Sequence, residues 1–180
     1  LDDHDLADNT LVVFLSDNGI HFPFAKSNCY MTSVRTPLIL RWPDKINPDS
    51  VSDSIVSTVD LMPTILDAAG RPDSHRMDGH ALTGLYQDQE LELRDAAFVS
   101  INAKGKSRFE MRSLIGKRYS YVYNHFSDGK NQFNDGNYPG ERSLKAMERA
   151  ARTDPEIKAR LDFMYCRTRE EVYDLEKDPH

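Results

Sequence analysis

Five consecutive apolar residues, Leu11-Val12-Val13-Phe14-Leu15, run directly into Ser16-Asp17-Asn18-Gly19. This junction constrains the fold more than any other stretch. A strand with one face in water alternates apolar and polar side chains, whereas a strand covered on both faces does not, so the run predicts a buried, parallel strand of an α/β layer. In open parallel sheets ligands bind in the crevice beyond the carboxyl ends of the strands, which makes the Asp17-Asn18-Gly19 segment a candidate site. The competing account is a plain turn, for which Asp-Asn-Gly is a common sequence.

Further along, Thr36-Pro37-Leu38-Ile39-Leu40-Arg41-Trp42-Pro43 predicts a second strand fenced by prolines. Leu61, Ile65, Leu66 and Ala69 share one helical face between Asp60, the expected N-cap, and Gly70, the expected stop, with Pro63 tolerated in the first turn. From about Asp95 the pattern changes to antiparallel structure. Ala96 to Ile101 reads as a strand, and Met111 to Asn124 as a hairpin turning at Gly116-Lys117. Helical patterns follow over Ser143 to Arg152 and Pro155 to Tyr165, separated by Thr153-Asp154, either of which can cap, and Glu171 to Leu175 predicts a last strand. The expectation is therefore an α/β part over residues 1–92 and a smaller α+β subdomain with an antiparallel sheet over residues 93–180.

The 180 residues carry 23 Lys and Arg against 29 Asp and Glu, a formal net charge of −6. With a pI near 5.5, this balance argues against a general nucleic-acid binder, whose binding face is basic. No apolar run approaches the roughly 20 residues of a membrane helix, and no basic-plus-apolar leader opens the chain. Cys29 and Cys166 form no CxxC pair, so a cysteine-based zinc site is excluded.

The candidates for chemistry are few. Asp17 and Asn18 offer a carboxylate and an amide oxygen side by side, hard donors suited to Ca²⁺ or Mg²⁺ rather than to a soft metal. Lys26, in His21-Phe22-Pro23-Phe24-Ala25-Lys26, could neutralise a bound oxyanion, with His21 as a second candidate in that loop. Lys104, Lys106, Arg108, Arg112, Lys117 and Arg118 give one stretch a local positive balance that could hold an anionic polymer, Lys104, Arg108 and Arg112 being the substrate-binding candidates. An ordinary charged strand edge would read the same way. Asp73, His75, Asp78 and His80 cluster in a polar loop that reads equally as solvated. There is no GxSxG, P-loop, GxGxxG or HExxH motif.

Several segments together resemble a known family. Thr10 to Gly19, Pro23-Phe24-Ala25-Lys26, Val34 to Pro43, Val59 to Gly70, Met77 to Leu82 and Tyr173-Asp174-Leu175-Glu176-Lys177-Asp178-Pro179-His180 resemble, in this order, the C-terminal half of type I sulfatases of the alkaline-phosphatase-like superfamily. Phe109 to Leu114, Tyr123-Asn124 and Ser127-Asp128-Gly129-Lys130 look most like the heparan N-sulfatase (sulfamidase)-like branch. The resemblance implies the C-terminal portion of the mixed-sheet catalytic domain, up to about Glu92, followed by the C-terminal subdomain. It implies that Asp17 and Asn18 ligate Ca²⁺ and that Lys26 faces the substrate's sulfate.

The family's nucleophile is a formylglycine made from Cys or Ser in a C/S-x-P/A-x-R motif. No such motif occurs here, since Cys29 is followed by Tyr30-Met31 and Cys166 by Arg167-Thr168. The expectation is a fragment, inactive alone, whose partner is the N-terminal half of the same enzyme and whose parent is periplasmic, secreted or lysosomal. The implied activity is hydrolysis of a sulfate ester or sulfamate on a sulfated sugar or polysaccharide. Two rivals stand: a phosphohydrolase or phosphodiesterase of the same superfamily, and a non-catalytic module holding anionic glycans on the basic stretch.

Overall fold

The computed structural model describes residues 1–71, 76–104, 107–133 and 142–178, with the side chains of residues 103, 104 and 107 outside that set. By packing, the chain divides into two compact units, one made of residues 1–16 and 37–97, the other of residues 17–36 and 98–180. The second crossover, at 97/98, lies close to the 92/93 boundary drawn from composition. Residues 17–36, which the sequence groups with the first part, pack instead within the second unit.

In the first unit β1 (Val12–Leu15) pairs with β2 (Leu38–Arg41), and the register sets Phe14 opposite Ile39. The pairing is antiparallel, which corrects the parallel strand expected from the apolar run. The strand is not fully buried either, because Phe14 is 60% and Ile39 58% exposed. An unbroken apolar run specifies two apolar faces; it carries no information about the direction of the neighbouring strand.

Helix α2 (Leu61–Ala68) is entered through a 3-10 turn over Thr58–Asp60. Asp60 stands at the N-cap position of α2, as expected, but makes no side-chain cap bond there; its carboxylate instead closes a capping box on the preceding turn, in which the Ser57 side chain accepts from the backbone of Asp60 and Asp60 Oδ2 accepts from Ser57 N at 2.7 Å. Asp60 itself is fully buried and also accepts from His80 N at 2.8 Å and Arg94 Nη2 at 2.5 Å. Gly70 ends the helix at φ 70°, a left-handed conformation that glycine adopts without steric cost. Nearby, Trp42 and Tyr86 pack edge to face at 6.3 Å.

The second unit holds a four-stranded sheet in the order β3 (Ala96–Lys104), β4 (Ser107–Gly116), β5 (Tyr119–Asn124) and β6 (Glu170–Asp174). β5 is antiparallel to both β4 and β6. Ile115 pairs with Ser120, so the hairpin reverses at Lys117-Arg118, one residue later than expected. Among its described residues this unit also holds the helices α1 (Met31–Val34), α3 (Arg142–Ala150) and α4 (Pro155–Tyr165). Asp154 caps α4 by accepting from Glu156 N at 2.9 Å and Ile157 N at 3.2 Å, and Pro155 takes the first position, where its missing N–H costs nothing.

Alternation along β5 turns Ser120, Val122 and Asn124 inward. Val122 and Met111 meet Phe109, Phe133, Leu144, Met164, Cys29 and Tyr30 in one core. Each fully buried side chain of this kind contributes roughly 1.5–3 kcal/mol. This is the expected α+β subdomain. Among the described residues no helix is long and apolar enough to cross a membrane.

Candidate functional site

The loop between β1 and β2 carries four of the sequence candidates, and backbone hydrogen bonds fold it back on itself. Gly19 N donates to Ser33 O at 2.7 Å, and Lys26 N donates to Ile20 O at 3.2 Å. The second bond returns Lys26 to the segment that holds Asn18 and Asp17. A Cβ on Gly19 would collide with the carbonyl oxygen of Thr32 and lie 2.8 Å from that of Ser33, so only glycine permits this approach. Phe24 and Ser27 take left-handed conformations, at φ 65° and 67°. Backbone cost of this kind persists only where surrounding contacts over-determine it.

Those contacts converge on Asn28. Its Nδ2 donates to Ala25 O at 3.0 Å and Lys26 O at 3.2 Å, and its Oδ1 accepts from Arg167 Nη2 at 2.8 Å. Arg167 is 1% exposed. Its Nε donates to Met164 O at 2.8 Å and its Nη1 to the Tyr30 hydroxyl at 2.6 Å. The Tyr30 hydroxyl donates in turn to Glu171 Oε2 at 2.8 Å, an oxygen that Tyr173 also reaches at 2.6 Å. Asn124 Nδ2 supplies the other carboxylate oxygen, Oε1, at 2.7 Å.

The guanidinium also lies 4.7 Å from the Phe133 ring centroid, 5.0 Å from that of Tyr30 and 5.4 Å from that of Phe24. A buried Arg and a buried Glu are thus joined through a phenol, with most of their polar atoms satisfied, which is what makes burying both charges tolerable. Burial drives the Tyr30 and Tyr173 phenols well above the ordinary tyrosine range, Arg167 opposing the shift and Glu171 adding to it. Both therefore stay hydrogen-bond donors across the physiological range.

Asp17 is exposed and Asn18 half-buried, with Asn18 Nδ2 donating to Gly19 O at 2.7 Å. Lys26 is half-buried and His21 exposed. These four residues lie on one loop, whereas Arg108, Arg112, Lys117 and Arg118 of the basic stretch lie on strand β4 and the turn between β4 and β5. Arg112 Nη1 donates to two backbone carbonyls, Met111 O at 2.8 Å and Ile101 O at 3.3 Å, so this guanidinium is engaged by the sheet itself. Arg118 pairs with Asp174 at 3.5 Å and Glu176 at 3.4 Å. Arg108 is exposed on β4, and the Lys104 side chain and Lys106 lie outside the described residues, as do Asp73 and His75. Of the six basic residues in that stretch, Arg112 is thus engaged by the sheet and Arg118 by two carboxylates.

Sequence reasoning missed Asn28, Tyr30, Arg167 and Glu171.

Residues 19–134 match the family described as N-sulphoglucosamine sulphohydrolase, C-terminal. An ulvan-active sulfatase of Formosa agariphila is 28% identical over 97% of this chain, which covers 32% of that protein. Human N-sulphoglucosamine sulphohydrolase is 29% identical over the whole chain, which covers 38% of it. The chain thus spans about a third of the length of these curated relatives. A structure holding its substrate D-glucosamine-2-N,6-O-disulfate superposes with a TM-score of 0.67 at 22% identity, over 99% of this chain and 30% of that one. At that identity the likeness establishes the fold: the α/β and antiparallel-sheet arrangement of sulfatase C-terminal regions.

Proposed function

The chain belongs to the N-sulphoglucosamine sulphohydrolase C-terminal family of sulfatases, and from that membership we propose that it is the part of a sulfated-glycan sulfatase that supplies two metal ligands and the sulfate-facing cation. The observation carrying this reading is the braced loop. The Lys26 backbone is held at both ends, its N–H donating to Ile20 O at 3.2 Å and its carbonyl accepting from the buried Asn28 at 3.2 Å, on the loop that also carries Asp17 and Asn18. An ammonium carried on a braced backbone would lower the cost of charge developing on a sulfuryl oxygen, because less reorganisation is needed when the bond breaks.

The donor set fits a hard cation in part. Asp17 and Asn18 offer two oxygens, Ca²⁺ takes about six to eight, and among the described residues no group of three or more His, Cys, Asp or Glu could hold a metal. The two oxygens favour Ca²⁺, or less well Mg²⁺, over Zn²⁺, and the remaining ligands would come from the N-terminal half of such an enzyme. When bound, the ion would supply Lewis-acid charge against the sulfate. Asp17 and Asn18 would hold it and Lys26 would bind a sulfate oxygen, with His21 on the same loop as a further candidate. Catalysis also needs a formylglycine nucleophile, for which these 180 residues contain no C/S-x-P/A-x-R motif.

The substrate class follows by kinship. The relatives include an ulvan-active sulfatase and an N-sulphoglucosamine sulphohydrolase, which supports a sulfated sugar or polysaccharide as substrate, and with it a periplasmic, secreted or lysosomal parent. The test is the genomic frame upstream of Leu1. A C/S-x-P/A-x-R motif followed by loss of bound calcium and of sulfatase activity in Asp17→Ala of the encoded enzyme is the expected result. A stop codon and a genuine start just before Leu1, or an unmodified Ser or Thr nucleophile with phosphatase activity, would overturn it.

A further inference from the structure

Within the second unit a cavity of about 200 Å³ is walled by the 20–32 loop, α4, β5 and β6. Ligand sites for drug-sized molecules run from about 300 to 1,000 Å³, so this one has room for a single ring. Its chemistry is mixed. Phe24 and Phe163 stand nearly parallel, 6.1 Å apart with 15° between their planes. Ser120 and Tyr173, cross-strand partners on β5 and β6, contribute to the wall, together with Arg160 and Asp178.

Arg160 is the informative residue. It sits one helical turn before Phe163, on the same side of α4, with its guanidinium 4.7 Å above the Phe24 ring. A guanidinium stacked on a ring keeps its planar edge, with its fork of N–H donors, available for an anion. Among the described residues it has no hydrogen bond or ion-pair partner, whereas Arg167, Arg118 and Arg112 are all engaged.

We propose that this cavity is a subsite for one anionic sugar ring of the substrate, lined by Ile20 and residues 22–25 of the loop rather than by Asp17, Asn18 or Lys26, and resting on the sulfatase reading above. Phe163 takes the apolar C–H face of the pyranose, whose hydrogens meet the negative ring face, while the Phe24 ring, stacked beside it, carries the Arg160 guanidinium. Arg160 takes a sulfate or carboxylate substituent in a bidentate grip, and the Ser120 hydroxyl and Asp178 carboxylate take ring hydroxyls. An aryl anion would use the aromatic rings and Arg160 but leave Ser120 and Asp178 without partners, so the polar pair favours the sugar. The site would thus select a charged neighbouring residue along the glycan.

The test is calorimetric titration of the full chain with D-glucosamine-2-N,6-O-disulfate in EDTA, which removes any metal at Asp17. Expected are saturable binding, a loss of at least tenfold in Arg160→Gln, and no change in Asp17→Ala. N-acetylglucosamine and inorganic sulfate should each bind at least tenfold more weakly. Arg160 is exposed, so its Gln variant should keep the native circular dichroism spectrum, and Phe163→Leu gives a second, volume-sparing probe. Undetectable binding, unchanged affinity in both variants, or tighter binding of 4-nitrophenyl sulfate would overturn the proposal. Binding abolished by Asp17→Ala but not by Arg160→Gln would move the sugar to the loop site, overturning the subsite and leaving the sulfatase reading intact. A subsite that survives while the upstream frame lacks a nucleophile motif would sink the sulfatase reading alone.

Discussion

Arg167 holds a full charge at 1% exposure, and it does so by spending its three nitrogens on a carbonyl, a phenol and an amide. Removing it strands the Glu171 carboxylate and the Asn28 amide oxygen in the interior. Breaking a buried pair from one side costs about 3–5 kcal/mol. Arg167→Met should therefore lower the unfolding free energy obtained from urea titration by an amount in that range, and Arg167→Met combined with Glu171→Met should cost clearly less than the sum of the two single changes. A purely additive double mutant would show that the two charges do not share one network.

The same burial acts on Cys29. Desolvation pushes its thiol from 9.0 to about 11, against the opposing pull of Arg112 and Arg167. The sign follows from proton counting. Below pH 9 the thiol is protonated whether folded or unfolded; between 9 and 11 the unfolded chain releases the proton and the folded one keeps it, so stability falls as pH rises. Two units correspond to about 2–3 kcal/mol. Tyr30 and Tyr173, also pushed upward by burial, add to the loss above the ordinary tyrosine range. Urea titrations from pH 8 to 10.5 should show this decline beginning near pH 9, with the first part of the slope absent in Cys29→Ala; a flat profile would contradict it. None of this could be read from the chain, because Tyr30 and Glu171 stand 141 positions apart and Arg167 and Asn28 stand 139 apart. Asp17, Asn18 and Lys26 were visible because they lie within ten positions of one another, behind a strong strand signal.

At the scale of elements, the reliable signals were local ones. Helix α4 begins at Pro155 with Asp154 as its cap, one of the two residues that the Thr153-Asp154-Pro155 sequence offers. Asp154→Ala removes acceptors for two helix N–H groups, and such caps are worth about 0.5–2 kcal/mol. Thermal unfolding should report a loss in that range, and a Ser at this position should recover most of it. Misplaced elements failed for equally local reasons. Asp60 takes the expected N-cap position of α2 but bonds none of its N–H groups, because a 3-10 turn capped by Ser57 precedes α2 and the Asp60 carboxylate is turned to Ser57 N and Arg94. The β4–β5 turn shifted by one residue because the register that buries Met111, Ser113 and Ile115 together with Ser120, Val122 and Asn124 overrides the preference of Gly116 for the turn itself.

Across the whole molecule, the apolar run at β1 keeps the imprint of a strand meant to be covered on both sides. Phe14 and Ile39 face each other across the β1–β2 pair, and both remain more than half exposed. A two-stranded sheet is marginal in water, and an exposed apolar strand face invites pairing with a second chain. The chain in isolation should therefore show light scattering that grows with protein concentration. Phe14→Thr with Ile39→Thr should suppress it, because the change trades a cross-strand contact worth about 0.2–1 kcal/mol for a wettable face without touching the core of the second unit. The circular dichroism of the α+β subdomain and the affinity of the proposed sugar subsite should be unaffected by the pair of substitutions. Scattering that persists in the double variant would assign the association to another surface, and a collapse of the α+β signal would show that the β1–β2 pair supports more of the fold than its exposure suggests.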